Sequence, residues 1–294
     1  MTTLHEFRLT PEDFKFVGVG LSRPECIIAE RNGTLWASDD KSAVMRIDAN
    51  GTQTRVGTMG GLPNGLAMNR NGDLFIANIG DGKLYQQMRA GEHRVLLDRF
   101  DGQPIGSMNF VYVDDRDRMW ITVSTLTVPR INAVNTPIPD GYILMNDGSG
   151  WRKVGAGYHF TNEVRVDPKG TTLYVAETAL GRVSRHAIAA DGSLGPRVTH
   201  GPETVFPGAK IDGITLDSDG NLWVTEVAKN SIVVITPAGH SHVVFSDPDA
   251  TLLNMPASIA FGGPDLKTAY IGALKMDRIA TFQSPIAGQP MCHW

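Results

Sequence analysis

The sequence predicts an all-β chain folded as a six-bladed β-propeller of four-stranded antiparallel blades. Three observations carry this. One unit recurs six times; each copy reads as a strand, a tight turn and a second strand; and no stretch of ten or more residues has convincing helical periodicity. The copies are "RPECIIAERNGTLWASD" (23–39), "LPNGLAMNRNGDLFIAN" (62–78), "SMNFVYVDDRDRMWITV" (107–123), "FTNEVRVDPKGTTLYVAE" (160–177), "KIDGITLDSDGNLWVTE" (210–226) and "MPASIAFGGPDLKTAYIGA" (255–273). They begin about 40 to 50 residues apart, the length of a four-stranded blade. Further short β-rich pieces fill the gaps, among them Ala43–Ile47, Lys83–Gln86, Gly141–Met145 and Ser231–Ile235.

The turn pairs Asn32-Gly33, Asn71-Gly72, Lys169-Gly170 and Asp219-Gly220 supply the positive φ that a tight hairpin needs. After the sixth hairpin, "RIATFQS" (278–284) supplies only a third strand. The early apolar segment "FKFVGVG" (14–20) is expected to add the fourth, closing one propeller domain over residues 1–294 and removing an exposed sheet edge.

Composition agrees with a packed core and narrows the partners. Apolar residues make up 41% of the chain and charged ones 20%. A net charge of −4 leaves no basic footprint for nucleic acid. No apolar run approaches the roughly 18 residues of a membrane helix, and "MTTLHEFRLTPEDFKF" has no signal-like apolar core, so no membrane association is expected. Cys26 and Cys292 form no metal-type spacing, which suits a reduced, cytoplasmic setting.

Aligning the copies stacks Glu25, Asn64, Asn109, Asn162, Asp212 and Ala257 in one column at the start of the innermost strands. The turn follows about seven residues later, some 20 Å away on the opposite face of the disc. The returning strands end at a second column, Asp39, Asn78, Val123, Glu177, Glu226 and Ala273, expected on the same face as the first and converging with it on the channel. Two carboxylates and three carboxamides crowded round a narrow axis need a partner. Such hard oxygen donors suit one divalent cation, Ca²⁺ first, with Mg²⁺ or Mn²⁺ as alternatives; a zinc site of the nitrogen–sulfur type is disfavoured. The competing reading is that these side chains cap strand ends and hold channel water.

Glu25 in "RPE", Asn162 in "TNEVRVDPKGTTLYVAET", Asp212 in "IDGITLDSDGNLWV" and the closing "FGGPDLKTAYIG" together resemble the gluconolactonase family, which includes regucalcin and the luciferin-regenerating enzyme. The resemblance spans essentially the whole chain. It implies a six-bladed propeller whose single divalent metal is held by Glu25, Asn162 and Asp212; Ca²⁺ is expected, with Mg²⁺, Mn²⁺ or Zn²⁺ as alternatives. It implies hydrolysis of a small-molecule sugar lactone, with organophosphates as substrates of some relatives, and Asn109 as a substrate-binding residue that sometimes reaches the metal. Asp212 is then the expected catalytic base, with Glu177 and Glu226 as second choices. The family's frequent Asn-Asp or Asn-Gly is Asn109-Phe110 here, which is expected to place a ring beside the site.

Asn64, Arg130 and His159 complete the expected substrate-binding set with Asn109 and Phe110. The long segment "STLTVPRINAVNTPIPDGY" (124–142) joins the second and third strands of blade 3 on the metal-bearing face and reads equally as a lid that sets substrate choice or as a packing or oligomer contact. A phosphoester-like electrophile, or a non-catalytic ligand-binding role for a metal-stabilised propeller, are the rival functions.

Overall fold

The computed structural model describes residues 4–294, and six four-stranded antiparallel sheets form its blades. Their inner strands are Ile27–Ala29, Pro63–Met68, Met108–Val113, Thr161–Val166, Ile211–Leu216 and Pro256–Gly262 for blades 1 to 6. In blades 1 to 5 the chain steps outward strand by strand. Blade 6 draws its outer strand from the other end of the chain: Lys15–Val17 pairs antiparallel with Ile279–Gln283, Lys15 opposite Thr281. No helix among the described residues is long and apolar enough to cross a membrane.

The turns behave as their residues require. Gly33, Gly72, Gly170 and Gly220 have φ of +86°, +83°, +70° and +81°. In blade 3, which has no glycine there, Asp117 takes the left-handed position at φ 58°, a conformation aspartate tolerates better than most residues. Each of three blades carries a further lock: an acid closing the inner strand accepts the indole N–H of the tryptophan six residues later. Glu30 takes Trp36, Asp114 takes Trp120 at 2.9 Å, and Asp217 takes Trp223 at 3.0 Å. Each indole is fully buried yet satisfied, so ring burial adds roughly 2–3 kcal/mol without an orphaned donor.

The last residues cross the face opposite the candidate site. Gln289 donates to the Val166 carbonyl at 3.2 Å, the Cys292 thiol to that of Met68 at 3.3 Å, and His293 Nε2 lies 3.0 Å from that of Ala29. Blades 1, 2 and 4 are thus tied together beneath the channel. What remains inside is a narrow axial cavity of about 40 Å³, room for one or two waters, lined by Cys26, Leu66, Phe110, Arg165, Gln289 and Met291 among others. Both cysteines are free and buried, and burial pushes both thiols up.

Candidate functional site

The column sits where the inner strands stop being regular. Pairing between first and second strands slips between Pro63 and Leu66, Met108 and Phe110, Thr161 and Val164, Ile211 and Ile214, and Pro256 and Ser258. Each slip encloses the column residue: Asn64, Asn109, Asn162, Asp212 or Ala257. A bulge re-aims the side chain it carries, and here the same device recurs in five blades. The bulges require close approach. A Cβ on Gly65 would lie 2.6 Å from Phe110 Cα, and one on Gly213 2.5 Å from both the Ala257 carbonyl oxygen and Ser258 Cα.

Blade 1 delivers Glu25 differently, from the loop before its short inner strand. The Glu25 and Cys26 amides donate to Ser38 Oγ at 3.1 Å, the Ala273 amide donates to the Pro24 carbonyl at 2.8 Å, and the Ser258 hydroxyl donates to the Glu25 carbonyl. Arg23 turns the chain inward at φ 54°, as Phe160 does at 61° in blade 4 and Met255 at 54° in blade 6, each two residues before the column. Non-glycine residues held there cost about 1 kcal/mol or more each, so the surrounding hydrogen bonds must fix this geometry.

Glu25, Asn162 and Asp212 are 6%, 3% and 7% exposed. Asn162 donates through Nδ2 to Thr178 Oγ1 at 3.0 Å and faces Asp212, while its Oδ1 is buried without a hydrogen-bond partner. Burial, then the charges of Glu25 and Glu163, push the Asp212 carboxyl well above the usual carboxylate range against the opposing pull of Arg23 and Asn162. Glu25 is ion-paired with Arg23, which also donates to Asn64 Oδ1 at 2.8 Å. Asn64 in turn donates to the Asn109 carbonyl at 2.9 Å.

This arrangement fits a hard cation. A lone amide oxygen with no donor, beside a carboxyl whose pKa burial and neighbouring acids raise, is what a divalent ion would satisfy. Among the described residues no three His, Cys, Asp or Glu side chains gather as a metal cluster. The set therefore depends on the Asn162 oxygen.

Several expectations are corrected. The second column ends on the same face but does not enter the channel. Thr161 pairs directly with Glu177, and Ile211 with Glu226, so Asn162 and Asp212, one residue on, point the other way. Glu226 accepts the amides of Lys210, Ala228 and Lys229, each at 2.8 Å; Asn78 accepts those of Leu62 and Gly80. Burial would raise Glu177, but Ser184, the His159 amide, Arg182 and Arg197 together hold it below the usual range. These groups cap loops and hold no free base.

Phe110 is likewise displaced. The bulge sends it down into the axial cavity, 2% exposed, with the Arg165 guanidinium 4.8 Å above its ring, so it does not border an open pocket. His159 lies against Glu177, amide at 3.1 Å and Nδ1 at 3.5 Å from Oε2, rather than on the ligand set. Arg130 lies within electrostatic reach of the site: burial lowers its pKa, while the charges of Glu25 and Asp212 pull it back up.

The segment 124–142 arches over this face. Asp140 Oδ2 gathers Thr125 Oγ1, the Leu126 amide and Thr127 Oγ1 at 2.8–3.0 Å, and a short helix, Ile131–Asn135, packs Ala133 against Phe160 and Ala179. Lys210 latches the helix, its Nζ donating to the carbonyls of Val134 at 3.0 Å and Ala179 at 2.8 Å. Beside the segment lies a groove of about 360 Å³ reaching from Gly80 and Asp81 to Arg130.

Sequence reasoning missed Arg23, Lys210 and Glu163. Glu163 accepts from Arg165 at 2.8 Å and from the Ile214 amide at 3.2 Å, and burial pushes it up to about 7. The Glu-x-Arg spacing on a strand, which puts both on one side, was the available signal.

Comparison with known proteins places the chain. Over 191 residues, 64% of this chain and 62% of that protein, it is 26% identical to a 6-deoxy-6-sulfogluconolactonase of Pseudomonas putida, so the match spans under two thirds of the relative. Among solved structures, a gluconolactonase from Xanthomonas campestris superposes with a TM-score of 0.76 at 18% identity, covering 97% of this chain and 94% of that one. A calcium-binding regucalcin from Agrobacterium tumefaciens gives 0.73 at 17%, covering 94% and 96%. At such identities these two establish the fold alone. Residues 23–275 match the family model described as the SMP-30/Gluconolactonase/LRE-like region, and the chain belongs to that family.

Proposed function

We propose that this chain is a divalent-metal-dependent lactonase that hydrolyses a sugar lactone or related cyclic ester. The observation that carries the reading is the buried, unpartnered Asn162 Oδ1 grouped with Asp212 and Glu25. Names borne by its relatives support it: a sulfogluconolactonase, a gluconolactonase and a calcium-binding regucalcin. Glu25, Asn162 and Asp212 would hold the ion, and their all-oxygen set favours Ca²⁺ over Mg²⁺, Mn²⁺ or Zn²⁺. When bound, the ion would polarise the lactone carbonyl and stabilise negative charge on its oxygen.

The chain's own groups supply the remainder. Asp212, once ionised, takes a proton from the attacking water as the water oxygen bonds to the carbonyl carbon. The ring C–O bond then breaks, the proton returns to the departing ring oxygen, and a hydroxy acid leaves. Asn109, whose amide NH₂ has no protein partner among the described residues, and Arg130 orient the substrate, while Asn64 is spent on holding Asn109 and Arg23. Phe110 and His159 have no role in this scheme.

The test is dialysis against a chelator, then a pH-stat assay on a panel of sugar lactones with and without added Ca²⁺, Mn²⁺ or Zn²⁺. Turnover lost on chelation and restored by metal is expected. A metal-induced rise in thermal stability with no turnover of any lactone would overturn the reading in favour of a binding propeller.

A further inference from the structure

Two guanidinium groups lie within electrostatic reach of the two carboxylates at this site. Arg23 is committed, ion-paired with Glu25 and donating to Asn64. Arg130 is not. It is half-buried on the arching segment, within electrostatic reach of Glu25, Asp212 and Arg23, and among the described residues its guanidinium makes no hydrogen bond or ion pair. Arginine left partly desolvated without a partner is unfavourable, and its planar fork matches carboxylate, sulfonate or phosphate oxygens.

The other cations near the site are already matched: Arg165 pairs with Glu163 and Arg23 with Glu25, which leaves Arg130 as the guanidinium open to an incoming anion. The groove running to Arg130 offers space for a substituent. Of its acids, Asp81 is engaged by the Tyr85 hydroxyl and the Lys83 amide, while exposed Asp98 disfavours an anion in its own vicinity.

We infer that the substrate is an acidic lactone, carrying a carboxylate, sulfonate or phosphate that Arg130 seats while the carbonyl lies at Glu25, Asn162 and Asp212. This rests on the lactonase reading and adds the substrate class to it. Charge-assisted hydrogen bonds are strong enough that their loss changes affinity by about 10- to 100-fold.

The experiment compares glucono-1,5-lactone with its 6-phospho, 6-deoxy-6-sulfo and 6-carboxyl counterparts, in the wild type, Arg130→Gln and Arg130→Lys. In the wild type, at least one anionic lactone should exceed the neutral one in kcat/KM by about 10-fold or more, and the preferred probe identifies the anion. Arg130→Gln should erase most of that ratio through KM, and Arg130→Lys should keep part of it. Calorimetric titration with the ring-opened anionic acids reads the same contact without turnover and should show weaker binding in Arg130→Gln. A neutral lactone equalling or outrunning every anionic one, or a ratio and a binding constant untouched by Arg130→Gln, would overturn the inference. Absence of turnover on all lactones, with Arg130-dependent binding of the anions intact, would instead defeat the lactonase reading alone.

Discussion

Replacing Asp212 by asparagine probes the site most directly, because it changes charge and almost nothing in shape. In the metal-free protein the wild-type carboxyl sits among burial, Glu25 and Glu163, all of which disfavour its ionised form. Its folded pKa lies above the unfolded value of 3.8, so the folded state holds a proton that the unfolded state releases. The stability tied to that proton is complete below pH 3.8 and disappears as pH rises through the folded pKa. Asp212→Asn escapes this loss, so metal-free variant should melt at or above wild type, with the gap widening as pH rises. With cation the order reverses. At 100 times its Kd an ion binding only the folded state contributes about 2.7 kcal/mol, about 4 °C for a chain of this length. Losing one of two carboxylate ligands should weaken Kd at least 100-fold, shrinking the shift below about 1 °C at the same concentration. Differential scanning fluorimetry with and without Ca²⁺ across pH 5–8, run beside the pH-stat assay, reads all of this. A variant that keeps the wild-type metal shift, or any sizeable lactone turnover, would refute the assignment of Asp212 as ligand and base.

Two further outcomes are expected. Lys210→Met removes the bond to Val134 of the helix and the bond to Ala179 of blade 4 through which Lys210 ties that helix down, at roughly 1.5–3 kcal/mol for a charge-assisted bond, less screening at this half-exposed site. Trypsin should then cut after Arg130 markedly faster while the folded core persists, and unchanged cleavage would deny Lys210 the latch. The buried His200, next to the Arg185 charge, has its pKa pushed down to about 4 by burial first and Arg185 second. As pH falls from about 6.5 toward 4, the unfolded chain gains a proton that folded His200 refuses, so stability drops. In His200→Phe that component vanishes, so the urea midpoint of the variant relative to wild type should improve between pH 7 and pH 5. A constant difference would contradict the shift.

Much of this architecture was legible because a propeller repeats its instructions. Six copies of strand, Gly turn and strand declare the blades, and the apolar segment near Phe16 declares the strand that closes blade 6. The column from Glu25 to Asp212 was legible too, since its residues share one position in each copy. Its exact aim was not. Bulges arise from how two strands pair across a turn, and the single residue they insert decides that Asn109 faces the site while Phe110 drops into the axial cavity. The same alternation separates Asp212 from Glu226, which the sequence places at one end of the blade and the structure puts to capping a loop. Arg23 and Lys210 stand two residues before the column, where the other copies carry Leu62, Ser107, Phe160 and Met255, so no repeated residue marks them; the chain crossing beneath the channel at Gln289 to His293 lies outside the repeat altogether. The acid–tryptophan spacing of six residues in three blades was visible in the letters, but its meaning depends on a hairpin bringing the indole back to the acid.

The pairing of Lys15 with Thr281 has a consequence for how the protein is made. A ribosome would release Lys15–Val17, the edge strand of blade 6, long before its neighbour Ile279–Gln283. Until then the nascent chain carries a complete run of earlier blades with two unmatched rims, and the ring-sealing step must bridge the long sequence separation between these two strands. Nascent chains halted shortly before Ile279 should therefore stay protease-sensitive at the first blade, whereas chains that have cleared Gln283 should lock abruptly.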